Sequence, residues 1–309
     1  MTDKSKLLQE CISHIFGRSD STLAISTGTP GPFRKITAMI LNSDGKISGY
    51  AKIGETPLAI QRIKHEAKIL KLIADSSWVK GHSSWVIGDS NSRRVHIPES
   101  LYEGEIGDAY VLIQSPSPFE GKSGSSDFTE DYAQVLSAMI SKTAIKKKFD
   151  ESEFYKTLKE NIYQYPVSFR NLMVKGFHKL EENLRDEEIT LALSHGDFAP
   201  WNMLWKNKDV FLFDWEFANV KSPAGLDVVD FLFKIRVLLQ KDVGKVKLFL
   251  ESINHFYQSH LSDMHNNLLS SKAVFLCYLL HKSVEEDKYY LTERHSAARR
   301  HFISLLTDL

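Results

Sequence analysis

Apolar positions recur at helical spacing over residues 3–16, where Leu7, Leu8, Cys11, Ile12 and Ile15 fall on one face. The period then drops to two. Alternation across Ser21–Ser26, Ile36–Leu41 and Ile47–Ile53 predicts three strands. Asn42-Ser43-Asp44-Gly45, between the last two, is hairpin chemistry, because Asp and Gly accept the backbone angles of a tight turn. Helical periodicity returns over 57–74, with Leu58, Ile60, Ile63, Ala67, Leu70 and Ile73 available for a buried face. Short apolar runs at Trp85–Ile87 and Val95–Ile97 predict two further strands, and Ala109–Gln114 a more buried one.

Residues 115–127, SPSPFEGKSGSSD, hold the densest Pro, Gly and Ser of the chain. They divide it into an N-terminal lobe, 1–114, and a C-terminal lobe, 115–309. Beyond the boundary the pattern is mainly helical, over roughly 128–147, 151–183, 224–240, 243–262 and 268–305 with breaks. One stretch interrupts the helices: Thr190–Ser194 and Val210–Phe213 read as strands flanking a polar loop. A strand-rich first part and a helical second part predict an α+β fold of two lobes.

Composition narrows the function. A chain of 309 residues with 42% hydrophobic residues can build a sizeable core in two domains. Its 39 basic and 39 acidic side chains cancel, which removes the broad positive field of a nucleic-acid-binding protein. Two cysteines, Cys11 and Cys277, make neither a disulfide framework nor a four-thiolate metal site. No apolar run approaches the roughly 20 residues of a membrane span. The opening MTDKSKLLQECISHIFG lacks the uninterrupted apolar stretch of a secretion signal. The expectation is a cytoplasmic protein with neither membrane nor nucleic-acid partner; oligomeric state is left open. Lys142, Lys146, Lys147 and Lys148 read as a solvated helix end, and Tyr289-Tyr290 with the aromatic residues of 249–257 as core.

The candidate chemistry lies in Ser194-His195-Gly196-Asp197-Phe198-Ala199-Pro200-Trp201-Asn202, followed by Phe213-Asp214-Trp215-Glu216. Asp197 and Asn202 are five apart on one polar loop, and a strand-turn-strand can return Asp214 beside them. Two carboxylates and an amide oxygen suit a hard cation such as Mg²⁺, which takes a few protein oxygens and completes its shell from phosphates and water. Zinc would want thiolates or clustered imidazoles, which this stretch lacks.

HGDFAPWN followed by FDWE resembles the catalytic loop and metal-binding segment of the aminoglycoside phosphotransferase and choline kinase group, small-molecule kinases with the protein-kinase-like fold. That resemblance implies a small antiparallel β lobe joined to a larger helical lobe. It implies Asp197 as the catalytic base toward an acceptor hydroxyl, and Asn202 and Asp214 as Mg²⁺ ligands bridging the phosphates of ATP. In such a kinase a cation on the third strand grips the phosphates, and a helical acid holds that cation. Lys52 occupies the third predicted strand and Glu66, fourteen residues on, the first long helix. Gly28 and Gly31, between the first two strands, stand where a nucleotide flap would be, with Arg34 and Lys35 beside them as surface cations. The adenine is expected against the hinge at Gln114, Ser115 and the residues to Ser117. His195 is expected to brace the loop, Pro200 and Trp201 to shape and pack it, with flanking the acceptor pocket as the alternative for Trp201, and Asp227 to tie the following helix to it.

The function these expectations describe is transfer of the ATP γ-phosphate to a hydroxyl of a sugar, aminoglycoside or amino-alcohol type acceptor. Its alternative is a nucleotide-binding pseudokinase or scaffold, which would be expected to have lost at least one of Lys52, Asp197, Asn202 and Asp214; all four are present. A kinase of protein side chains would want a long platform after Asp214, and the next helical signal begins within about a dozen residues.

Overall fold

The computed structural model describes residues 3–28, 30–31, 33–76, 84–86, 93–165, 167–239, 246–262, 267–287 and 293–308. Ile87, Tyr289 and Tyr290, which carried expectations above, lie outside these. Elements are numbered along the chain.

The first compact unit comprises residues 1–124 and 201–217. Its main sheet has the order β1 (Thr22–Ser26), β2 (Ile36–Leu41), β3 (Ile47–Gly54), β7 (Ala109–Gln114), β6 (Ser100–Ile106), antiparallel throughout. Because strand side chains alternate, each strand offers one residue in two to each face. Ala38, Ile40, Ala51, Val111 and Ile113 go to one face, where α1 (Asp3–Phe16) covers them with Leu8, Ile12 and Ile15. Leu112 goes to the other, against Ile63 and Ala67 of α2 (Pro57–Ala74). Thr56 caps α2 by accepting the Ala59 N–H, and Pro57 fits its first turn, where no intrahelical donor is needed. A second sheet has the order β4 (Ser84–Val86), β5 (Arg94–His96), β12 (Asp209–Leu212), β11 (Met203–Lys206), β8 (Lys122–Ser123). Within it β11 and β12 form a hairpin.

The second unit comprises residues 125–200 and 218–309. It is mainly helical: α3 (Glu130–Thr143), α4 (Glu153–Gln164), α5 (Val167–Leu184), α6 (Leu226–Phe233), α7 (Val246–His260), α8 (Ser271–Lys282) and α9 (Glu293–Asp308). Phe249, Phe275 and Phe302 pack ring on ring in its core, and Phe256 and Tyr257 are buried, as expected for the aromatic residues of 249–257. A three-stranded sheet sets buried β10 (Glu188–Ser194) between β9 (Ile145–Lys148) and β13 (Asn219–Pro223).

Several elements differ from the sequence expectation. Residues 145–148 form edge strand β9, not a helix end; its lysines are solvated as expected, and edge lysines are a usual guard against further pairing. The helix expected over 151–183 is two, broken at Tyr165, whose extended backbone is what a following proline favours. Strands β6, β8 and β13 were not expected. The first unit runs to residue 124, past the expected hinge, and takes in 201–217. Among the described residues no helix is long and apolar enough to cross a membrane, and Cys11 and Cys277 are free thiols.

Candidate functional site

In the first unit, strand parity assembles the site. Thr37 pairs with Lys52, Lys52 with Leu112, and Tyr50 with Gln114, so all share one face of β2, β3 and β7. It is the face α2 covers. Lys35 stands two residues before Thr37 and follows the same parity. On α2, Ile63, Glu66, Ala67 and Leu70 lie at i, i+3, i+4 and i+7 and are all buried, which brings the Glu66 carboxylate under the sheet.

Glu66 is fully buried and collects the donors of three elements. Lys52 Nζ lies 2.6 Å from both its oxygens, Gln114 Nε2 donates to Oε1 at 3.1 Å, and the Trp215 N–H donates to Oε1 at 3.2 Å. A carboxylate taken out of water needs such compensation. The structure thus joins Lys52 to Glu66 as expected, and directs the Gln114 side chain to that pair.

Asn202 and Asp214 flank the β11–β12 hairpin. Met203 pairs with Leu212, and the Phe213 N–H donates to the Asn202 carbonyl at 3.1 Å, so antiparallel pairing brings the two positions to one end. Asp214 adopts φ +68°, a left-handed backbone that costs most residues energy and that Asp tolerates better than bulky ones. Its Oδ1 accepts from Lys52 Nζ at 2.8 Å and Lys35 Nζ at 3.0 Å. Burial alone would raise this carboxyl, but the two ammonium groups hold it well below the usual carboxylate range. Lys35 also pairs with Glu216 at 2.9 Å. Burial, with Asp214 adding to it, pushes Glu216 above the usual range against the pull of Lys35. Lys35 itself stays above its ordinary value despite burial, because Asp214 and Glu216 both favour its charged form. Lys35 is therefore a partly buried member of the charge cluster and not the surface cation expected, whereas Arg34 is exposed. Arg62 supports the segment, donating to the Glu216 carbonyl at 3.4 Å with its guanidinium over the Phe33 and Phe217 rings.

A cavity of about 350 Å³ opens on this face. Its polar lining residues are Lys35, Thr37, Tyr50, Lys52, Gln114, Ser115, Ser117 and Asp214, and its apolar ones Pro98, Leu204, Phe211 and Phe213. Gly28 and Gly31 are exposed on the β1–β2 loop and do not line it. Gly28 has φ +62°, which explains a glycine there without a ligand. The donors at the end of the hairpin, an amide and a carboxylate, are oxygens only. Among the described residues no three His, Cys, Asp or Glu side chains converge as a preformed metal site. Such a set fits Mg²⁺, which takes the balance of its ligands from phosphates and water, and does not fit zinc.

In the second unit, β10 leads directly into the loop bearing Asp197, and β13 returns the chain to α6. Gly225, at the head of α6, has φ +96°, and a Cβ there would run into the Tyr257 hydroxyl. From the first turn of α6, Asp227 accepts from Ser194 Oγ at 2.8 Å, the His195 N–H at 2.7 Å and the Gly196 N–H at 2.9 Å. This is the tie between loop and helix expected of Asp227. His195 is fully buried and its Nδ1 accepts the Asp197 N–H at 3.3 Å, a bracing role. Trp201, next to Pro200 in the chain, is 45% exposed.

Sequence reasoning missed Lys234, Asp230 and Lys282. Lys234 Nζ donates to carboxylate oxygens of both Asp197 and Asp230, and Lys282 Nζ donates to the Gly196 carbonyl at 2.6 Å. A signal was present for the first two. Asp227, Asp230 and Lys234 recur at i, i+3 and i+7 within the otherwise apolar run LDVVDFLFKI, and α6 is buried at every position.

The sequence profile of the ecdysteroid kinase-like family matches residues 113–270. No curated protein sequence matches the chain. Among solved structures, a thermostable variant of aminoglycoside phosphotransferase APH(4)-Ia, in ternary complex with AMP-PNP and hygromycin B, is similar with a TM-score of 0.58 at 13% identity, covering 97% of each chain. ADP-bound aminoglycoside phosphotransferase APH(2'')-Ib is similar with a TM-score of 0.52 at 14% identity, covering 99% of this chain and 98% of that one. An amicoumacin kinase in complex with AMP-PNP, Ca²⁺ and its substrate gives 0.50 at 12%, covering 100% and 96%. At such identities the likeness establishes the fold, the two-lobed α+β fold of these kinases.

Proposed function

The chain belongs to the ecdysteroid kinase-like family, and on that premise we propose that it transfers the γ-phosphoryl group of Mg²⁺-ATP to a hydroxyl of a small molecule. The observation that carries this reading is the cluster of Lys52, Glu66, Asp214 and Lys35 at one cavity. Phosphoryl transfer needs little covalent help, so position and charge are what a protein supplies. The nucleotide base occupies the part of the cavity near Gln114 and Ser115. Lys52, held by Glu66, secures the α- and β-phosphates. Asn202 and Asp214 hold Mg²⁺, whose charge offsets that of the terminal phosphates. Asp197 orients the acceptor hydroxyl and takes its proton.

For the acceptor, the second unit offers a cavity of about 440 Å³ between α3, α6 and α7. Its wall combines Phe128, Phe231, Ile235 and Phe256 with Arg236, His255 and His260, and its acids are Asp127 and Glu130. Mixed charge of this kind favours an apolar skeleton bearing hydroxyls over a polycation such as an aminoglycoside. An ecdysteroid, the compound in the family's name, is of that type and belongs in any acceptor panel.

The test is ATP consumption with Mg²⁺ across ecdysteroids, sugars, amino alcohols, aminoglycosides and a generic protein. Turnover on a hydroxylated small molecule is expected. Nucleotide binding with no turnover on any acceptor would favour the scaffold reading, and no nucleotide binding would end both. Asp214→Ala should weaken Mg²⁺-ATP binding itself by tenfold or more, about 1.4 kcal/mol, because it removes a metal ligand and leaves Lys35 and Lys52 short of an acid. Calorimetric titration with Mg²⁺-ATP measures it, and an unchanged affinity would remove Asp214 from the site.

A further inference from the structure

Between Asp197 and Asn202 the loop reads Phe198-Ala199-Pro200-Trp201 and carries no cation. The positive charge at Asp197 comes from a remote segment. Lys234, on the helix after β13, reaches Asp197 Oδ1 and Asp230 Oδ2 with one ammonium group. All three residues belong to the second unit.

The arrangement exceeds what stability requires. Asp230 is i−4 to Lys234, is 1% exposed, and accepts from the Tyr278 hydroxyl at 3.1 Å through its other oxygen. That pair would by itself satisfy a buried lysine. The second acid, Asp197, lies outside this closed pair, with 23% of its side chain exposed. The helix also changes form at this residue: α6 ends at Phe233, and Lys234–Leu239 is π-helical. π turns are rare and recur at functional sites.

We propose that Lys234 is a positioning residue for phosphoryl transfer, holding the Asp197 carboxylate in place and anionic until the acceptor hydroxyl gives up its proton. This rests on the kinase reading above. In the step, the acceptor oxygen bonds to the γ-phosphorus while the bond from that phosphorus to the β–γ bridging oxygen breaks. ADP leaves with that electron pair, and the hydroxyl proton passes to Asp197. Lys234 donates no proton. Burial would lower its pKa, but Asp197 and Asp230 hold it above the ordinary lysine value, against Lys282, so it stays a cation. The ionisable groups that bear on it are Asp197 from the loop, Asp230 from its own helix, and Lys282 and Tyr278 from α8.

The variants are Lys234→Met, Lys234→Arg, and the double variant Lys234→Met/Asp230→Asn, which leaves no buried carboxylate without its cation should the single Met variant fail to fold. The readout is carboxylate ¹³C NMR of protein labelled at Asp Cγ, with the Asp197 signal assigned as the one missing in Asp197→Asn. It requires neither nucleotide nor acceptor. The Asp197 titration midpoint should rise by roughly one to three pH units in the Met variants and return toward wild type in the Arg variant. With Mg²⁺-ATP and an acceptor from the panel, kcat should fall about tenfold or more in the Met variants, with KM for ATP within about twofold and partial rescue by Arg. A midpoint unmoved by Lys234→Met overturns the proposal, whether or not turnover falls, since a merely structural lysine gives that result. A wild type that transfers phosphate to no acceptor, with the midpoint still moving, removes the kinase reading and this role with it.

Discussion

Asp197→Ala should lower the rate of phosphoryl transfer by about 10²- to 10⁴-fold, the range over which a positioned general base contributes. Affinity for Mg²⁺-ATP should change by less than about threefold. The reason is the division of labour between the units. Lys52, Glu66, Gln114, Asn202 and Asp214 all belong to the first, where Lys52, Glu66, Gln114 and Asp214 are joined by hydrogen bonds, and Asp197 belongs to the second. Asp197 holds no nucleotide in this reading, so its loss acts on kcat. Folding should survive the change, because Lys234 keeps Asp230 as a partner. Single-turnover kinetics on the accepted substrate, with calorimetric titration of Mg²⁺-ATP alongside, separate the two quantities. A variant that transfers phosphate within tenfold of wild type would remove Asp197 from the chemistry, and one that loses nucleotide binding would give it a different task.

Asp227→Ala should be the most destabilising single change at the site, costing about 3–5 kcal/mol. One carboxylate, 5% exposed, accepts three hydrogen bonds, from the Ser194 hydroxyl and the His195 and Gly196 amides. Its removal leaves three donors facing a hole that a methyl group cannot satisfy, and each orphaned buried donor costs about 1–3 kcal/mol. Asp227→Asn should lie between, since an amide oxygen still accepts but carries no charge. Urea denaturation with the second unit's transition resolved gives the loss. A loss under about 1 kcal/mol for the alanine variant would mean that water replaces the carboxylate, and that the loop keeps its shape by other means.

Much of the site could be read from local pattern. Lys52 and Glu66 are legible because period two sends Lys52 to the face opposite Ala51, and helical spacing places Glu66 beside Ile63 and Ala67. Asn202 and Asp214 are legible because a strand-turn-strand must return the chain. Lys35 was passed over: next to a glycine- and proline-containing loop it looks solvated, and only its parity with Thr37, once β2 pairs with β3, turns it inward. Strand β9 was read as helix because its lysines suit a helix end as well as a sheet edge, and what distinguishes the two is pairing with β10, more than forty residues away.

By itself, the sequence determined which chemical groups the protein owns and which local face each would take, since side-chain direction follows from backbone period alone. The tertiary structure decided which charges answer which. An ion pair depends on distance and on exclusion of water, and both are settled only when remote segments close on one another. That is why Lys234, thirty-seven residues from Asp197 in the chain, became its partner, and why Glu66 came to join β3, β7 and the segment after β12 through one buried carboxylate.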